Sequence, residues 1–161
     1  MNITCLQNNQ FRVQPLAKDA GVKINGTDLI QVLLNLTVNA FQCSGQSHQV
    51  DIDGEVLQQP LELTAFKDSP QTRLLNVENF QNNAPLVRLS VRDNGPGIPP
   101  EILPKIFQPY FTTKDARQGT GLGLNIVQRL VRENGGALHV RTRIGEGTDF
   151  TVYLPGTTVV R

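Results

Sequence analysis

Val87-Arg88-Leu89-Ser90-Val91-Arg92-Asp93 runs straight into Asn94-Gly95-Pro96-Gly97, and this stretch decides how the chain is read. Apolar residues at 87, 89 and 91 alternate with polar ones, the period of two that a half-buried strand requires. The strand delivers a carboxylate, Asp93, at its end, beside backbone that two glycines free for close approach to a bound molecule. Such a carboxylate can accept a hydrogen bond from an exocyclic amine such as that of adenine. The plainer alternative is a β-turn that opens on Asp.

Further along stands a second glycine cluster, Gly119-Thr120-Gly121-Leu122-Gly123-Leu124. Leu122, Leu124, Ile126, Val127, Leu130 and Val131 recur at helical spacing until Asn134-Gly135-Gly136 stops them, which predicts a helix over 122–134. A helix N-terminus presents unpaired N–H groups and a positive dipole end, so phosphates suit it. A flexible loop that only caps the helix is the alternative. Spacing excludes the commoner phosphate motifs. A P-loop needs Gly-Lys-Ser/Thr, but Leu124 follows Gly123; a dinucleotide fingerprint needs glycine at 124 and a strand immediately before. The His-Arg-Asp loop of serine/threonine kinases is also absent from the sequence.

Upstream, Leu29, Ile30, Val32, Leu33, Leu36, Ala40 and Phe41 predict a helix capped by Thr27 or Asp28 and stopped by Ser44-Gly45. Asn35 and Asn39 lie four apart on it and share a face. Asparagine is a poor interior helix residue, so two of them on an apolar segment need a reason. An amide oxygen is a suitable hard ligand for Mg²⁺, which binds substrate phosphates. Two core-satisfied amides are the alternative.

The remaining segments are read as follows. Residues 1–26 carry two short strand signals, Phe11-Arg12-Val13 and Val22-Lys23-Ile24. His48–Leu57 and Leu61–Phe66 read as strands joined around Gln58-Gln59-Pro60, and 67–85 as a long surface loop. A short helix is expected over 98–107, begun by Pro99-Pro100-Glu101, and a turn-rich connector over 108–118. Ala137–Thr142 and Thr148–Leu154 form a closing hairpin around Gly145-Glu146-Gly147. The expectation is one α/β domain over 1–161 with a mostly antiparallel sheet. With 39% hydrophobic and 18% charged residues, the chain is neither a disordered tail nor a membrane protein. A net charge of +1 exerts no general pull on nucleic acid or acidic membranes. No signal peptide is read in MNITCLQNNQ, so Cys5 and Cys43 are expected as reduced thiols in the cytoplasm.

Five segments together resemble the GHKL superfamily, and within it the catalytic ATP-binding domain of two-component sensor histidine kinases. Gln31-Val32-Leu33-Leu34-Asn35-Leu36-Thr37-Val38-Asn39-Ala40 resembles the N box, and Asp93 to Ile98 the first glycine box. Ile106-Phe107-Gln108-Pro109-Tyr110-Phe111-Thr112-Thr113-Lys114 resembles the F box, and Gly119 to Leu124 the second glycine box. Gly145-Glu146-Gly147-Thr148-Asp149-Phe150 resembles the Gly-x-Gly-Thr-x-Phe ending. The match runs over about residues 27–155, in the family's order.

The resemblance implies a Bergerat fold: a two-layer α/β sandwich whose mixed, mostly antiparallel sheet is covered on one face by about three helices. It implies ATP and Mg²⁺ as ligands. Asn39 would hold the metal, with Asn35 a phosphate or metal partner. Asp93 would bind the adenine amino group, with Gly95, Gly97 and Ile98 shaping the pocket and Thr148 near the base. Gly119, Thr120, Gly121, Leu122, Gly123 and Leu124 would line the phosphates. Residues 108–118 would be the ATP lid, anchored by Phe107, Tyr110 and Phe111, with Lys114 or Arg117 reaching the γ-phosphate. Three positions depart from the family pattern: Gln42 replaces a frequent lysine, Cys43 a frequent aromatic residue, and Tyr110 the second phenylalanine of the F box.

Three readings compete: the ATP-binding half of a histidine autokinase, a GHKL ATPase, and a nucleotide-dependent interaction module without catalysis. In the family's ATPases a glutamate four residues before the metal-binding asparagine activates water. Here that position is Asn35, whose amide cannot take a proton at neutral pH, so hydrolysis lacks its base. The chain's two histidines, His48 and His139, do not resemble the family's acceptor, a helical His followed by Asp or Glu. The resemblance therefore implies a catalytic fragment of a longer kinase. Its partners would be dimerisation and phosphoacceptor helices of the same kinase and a response regulator downstream. No nucleic acid and no direct membrane contact are expected, and the isolated domain would be monomeric.

Overall fold

The alternation at Val87 to Arg92 is met in the structure by strand β5 (Leu86–Asp93), which lies in the middle of a seven-stranded sheet. The computed structural model describes residues 10–16, 20–42, 48–111 and 123–157. Around β5 stand β1 (Gln10–Val13), β2 (Gly21–Val22), α1 (Gly26–Gln42), β3 (Gln49–Leu57) and β4 (Thr72–Leu75). After it come α2 (Gly123–Glu133), β6 (Ala137–Arg143) and β7 (Gly147–Thr157). The strand order is β1-β3-β5-β7-β6-β4, with β2 paired to the end of β7. Only β1 and β3 run parallel; the other pairs are antiparallel.

One face of this sheet carries both helices. Val87, Leu89 and Val91 point there with Val50, Leu138, Val140, Phe150, Val152 and Leu154. They meet Val32, Leu36 and Ala40 of α1 and Val127, Leu130 and Val131 of α2. Each fully buried Val, Leu or Phe side chain contributes roughly 1.5–3 kcal/mol, so this layer holds the helices to the sheet. The domain is thus the expected α/β sandwich with a mixed, mostly antiparallel sheet. The described residues hold two α-helices rather than about three.

The missing helix is the one expected over 98–107. It is a turn with a short 3₁₀ segment at Leu103–Lys105. Pro104 has no N–H to give an i→i−4 ladder, and Ile102 and Leu103 both donate to the Pro99 carbonyl, at 3.0 Å each. Helix α1 begins one residue before the expected caps. Asn25 caps it instead: its Oδ1 accepts from the Thr27 N–H at 2.8 Å and its carbonyl from the Leu29 N–H at 3.0 Å. The stop at Ser44-Gly45 lies outside the described residues.

The segment 58–85 departs furthest from expectation. Leu61–Phe66 is not a strand; it contains a 3₁₀ turn at Leu63–Ala65. The Asn82 amide takes both backbone groups of Leu61, accepting from its N–H at 2.7 Å and donating to its carbonyl at 2.9 Å, as a neighbouring strand would. Phe66 then packs edge-on against His139 (5.1 Å) and Tyr153 (6.1 Å) on the sheet face opposite the helices. The strand of this region is β4, inside the expected loop, where Thr72–Leu75 pairs with Leu138–Arg141 of β6. The final strand also runs three residues past Leu154, because its end pairs with β2.

The face opposite the helices is polar along its centre. Arg88 donates to Asp53 (3.4 Å), Glu55 (3.3 Å) and Ser90, and Ser90 shares a hydrogen bond with Thr151 at 3.1 Å. Burial acts to lower the Arg88 pKa, but its two carboxylate partners outweigh burial and raise it. Burial also raises the Tyr153 phenol and lowers the His139 imidazole from their ordinary values. No helix among the described residues is long and apolar enough to cross a membrane.

Candidate functional site

Asp93 is the last residue of β5, and the residue is 5% exposed. One oxygen, Oδ1, accepts from the Gly95 N–H at 2.9 Å, so the side chain closes the turn that follows it. The turn is also tied to β3. Asn94 Oδ1 accepts from the Gln49 N–H at 2.6 Å, and the Asn94 N–H donates to the Gln49 carbonyl at 3.2 Å. The expected turn that opens on Asp93 is therefore formed, and its first residue is buried.

The β6–β7 hairpin packs flat against this turn. Gly147 has φ +121°, and a Cβ there would lie 2.0 Å from the Asp93 carbonyl oxygen. Gly97, with φ +79°, would place a Cβ 2.4 Å from the Arg143 carbonyl. Only glycine satisfies either position. The Gly145 N–H donates to the Pro96 carbonyl at 2.9 Å. Behind the turn, Thr142 accepts from the Ile98 N–H at 2.8 Å and lies 2.9 Å from the Thr148 hydroxyl and 3.2 Å from the Gly147 carbonyl. Asp93 and Thr148 are register partners and both are buried.

A cavity of about 370 Å³ opens at these strand ends, lined in part by Arg92, Arg141, Arg143 and Glu146. Its guanidinium groups face carboxylates: Arg92 and Arg141 lie 3.2 and 3.8 Å from Asp149, and Arg143 lies 3.4 Å from Glu146.

A second group of residues gathers where α1 meets α2. Asn35 and Asn39 are half-buried, one turn apart. Asn35 Nδ2 donates to the Gly123 carbonyl at 3.3 Å, and its Oδ1 accepts from Gln31 Nε2 at 3.3 Å. The structure thus joins the N-box helix to the first residue of α2. Leu124 packs against the core. Asn125 Nδ2 donates to the Phe107 carbonyl at 3.1 Å, and the buried Phe107 ring meets Phe150 edge-on at 6.4 Å. Phe111 and Ile98 are half-buried against the core. Tyr110 is different: it adopts φ +64° and is 77% exposed, so its ring does not anchor this turn to the core. Lys114, Arg117, Gly119, Thr120, Gly121 and Leu122 lie outside the described residues, as does Cys43.

Chemically, the first group offers a buried carboxylate and a hydroxyl beside glycine-shaped backbone, a donor and acceptor set that fits a heterocyclic base bearing an amino group. The second offers amide oxygens and a helix start, which suit phosphates and a hard cation. Among the described residues no three His, Cys, Asp or Glu side chains cluster as a protein-built metal cage. Sequence reasoning missed Thr142, Asn94 and Asn125. Thr142 left a trace: it is a polar residue in the inward register of Leu138 and Val140.

Residues 24–158 match the family of histidine kinase-, DNA gyrase B- and HSP90-like ATPases. The chain belongs to that family. Membership implies nucleotide binding. This ATPase-family domain is 39% identical over 127 residues to the sensor histidine kinase ZraS of Escherichia coli K12, covering 79% of the chain and 21% of ZraS. It is 34% identical over 128 residues to the sensor kinase CckA of Brucella abortus, covering 78% of the chain and 12% of CckA. The chain therefore spans a minor part of these relatives' length. Among solved structures, the catalytic domain of histidine kinase ThkA matches with a TM-score of 0.64 at 31% identity, covering 92% of this chain and 80% of that one. ThkA in complex with the response regulator TrrA matches at 0.57 and 27% identity, covering 93% of this chain and 35% of that one. The domain resembles the catalytic ATP-binding domain of sensor histidine kinases in sequence and in fold.

Proposed function

We propose that this domain binds Mg²⁺-ATP and, as part of a longer sensor histidine kinase in the cytoplasm, donates the γ-phosphoryl group to a histidine on separate dimerisation and phosphoacceptor helices. A response regulator would then receive the phosphoryl group. The observation that carries this reading is the buried pair Asp93 and Thr148 on adjacent strands, closed over by the glycines of two turns.

Asp93 accepts from the adenine amino group, while Gly95, Gly97 and Ile98 shape the wall beside it. Asn39 would hold Mg²⁺, which supplies neutralisation of the phosphate oxygens when bound. Gly123 and Leu124 begin the helix whose N–H groups face the phosphates, with Gly119, Thr120, Gly121 and Leu122 before it. Lys114 and Arg117 are the cations proposed to reach the γ-phosphate. Phosphoryl transfer asks mainly for positioning and charge neutralisation. In the transfer, the bond between the γ-phosphorus and the β,γ-bridging oxygen breaks and a phosphorus–nitrogen bond forms on the acceptor histidine, leaving ADP. Asn35 stands where a water-activating carboxylate would be needed, which favours transfer over hydrolysis.

The experiment mixes this domain with the upstream helices of its parent protein and γ-labelled ATP. Acid-labile phosphohistidine on the helices is expected. Measured ATP binding without any phosphohistidine would replace this reading with that of a nucleotide-dependent interaction module.

A further inference from the structure

We infer that Asn125 is a positioning residue that fixes the start of α2 against the Phe107 turn, so that phosphates are held in register with the base. The inference rests on the proposed ATP site and deepens it. Its basis is a pair of amide contacts that converge on one helical turn. Asn125 is the third residue of α2 and donates to the Phe107 carbonyl at 3.1 Å. Asn35 reaches the same turn from α1, donating to the Gly123 carbonyl at 3.3 Å.

Phe107 links that turn to the base-binding half. Its ring packs edge-on against Phe150, two residues after Thr148 on β7 and inside the core. Asn125 is thus the polar end of a short path: helix start, Phe107 carbonyl, Phe107 ring, Phe150, Thr148. Asparagine is a poor choice inside a helix, where Ala or Leu serves better, so propensity does not explain it. A half-buried amide that reaches a carbonyl on another segment fixes distance and direction, which an apolar contact does not. The N–H groups of the first turn of α2 are the ones a phosphate chain would meet. Releasing the clamp leaves the base contacts intact and lets those N–H groups drift.

The test uses the 161-residue chain with Asn125→Leu, which has the same number and branching of side-chain heavy atoms but no donor, and Asn125→Ala. Binding of adenosine, ADP and ATP with Mg²⁺ is measured by calorimetry, and hydrogen exchange is followed at Gly123 to Val127. In both variants ATP affinity is expected to fall about tenfold, the effect of one lost amide hydrogen bond in a partly buried site. Adenosine affinity should change less than about twofold, and exchange in the first turn of α2 should quicken. An equal loss for adenosine and ATP would mean a general packing role and would overturn the inference. So would ATP affinity unchanged in both variants. A wild-type chain that binds ATP no tighter than adenosine would instead remove the phosphate site itself, and the inference with it.

Discussion

Asp93 and Thr148 face each other across the β5–β7 ladder, and each is about 95% removed from solvent. A carboxylate in that position must be held by donors, since burying an ionised group without partners is costly. The Gly95 N–H supplies one at 2.9 Å. The register places a hydroxyl beside it, and Thr142 fixes that hydroxyl from behind at 2.9 Å.

Asp93→Asn keeps an acceptor for the Gly95 N–H but replaces one carboxylate oxygen by a donor. Hydrogen bonds to charged groups contribute about 1.5–3 kcal/mol, so ATP affinity should fall roughly 10- to 100-fold. The melting temperature should stay within a few degrees of wild type. Calorimetric titration beside a thermal melt checks both, and ATP affinity unaltered by the change would remove Asp93 from the base site.

Thr142→Val preserves shape and removes the hydroxyl. The Ile98 N–H then loses its acceptor, and Thr148 loses its neighbour. A partly buried donor left unpaired costs about 1–3 kcal/mol, which lowers the melting temperature by roughly 3–10 °C in a domain of this size. Thr142→Ser retains the hydroxyl and should lie close to wild type. Equal melts for the Val and Ser variants would show that the hydroxyl does not hold the turn.

The residues that repeat were legible. Val87, Leu89 and Val91 announced β5, and the apolar spacing of α1 and α2 announced both helices, because burial of one face imposes a period on the sequence. Asp93 was legible as a strand end, since the glycines mark where pairing stops. The strand expected at Leu61–Phe66 is not formed: both backbone groups of Leu61 are served by a side chain, Asn82, some twenty residues away, and the N–H groups of Ala65 and Phe66 turn back to Glu62 and Leu63. Alternation cannot reveal which partner satisfies it. The roles of Thr142 and Asn125 were hidden for the same reason: each depends on a segment brought in by tertiary structure, Ile98 in one case and Phe107 in the other.

His139 gives the domain a pH dependence of defined sign. Burial lowers its pKa below the ordinary value of about 6.5, opposed by Asp149 and assisted by Arg141. The unfolded chain therefore binds more protons at this site than the folded chain as pH falls through about 6.5. Stability from the neutral ring is fully present above that pH and is lost below it, toward the lower folded-state pKa. The melting temperature should drop between about pH 7.5 and pH 5.5, and His139→Gln should drop less over the same interval. Parallel curves for the two proteins would show that other groups set the acid sensitivity.

Asn39→Ala tests the metal assignment and the absence of a water-activating base together. Asn39 is half-buried on α1, one turn after Asn35, and alanine suits a helix interior better, so the helix should form in the variant. In the wild type, chelating Mg²⁺ should weaken ATP binding by at least about tenfold. In the variant the same chelation should have little further effect, because the cation's protein ligand is already gone. Steady-state ATP hydrolysis by the wild-type domain should be slow, because the Asn35 amide cannot accept a proton from water. Robust turnover that disappears in Asn39→Ala would overturn the donor-site reading, since it would require a base that the N-box helix does not supply.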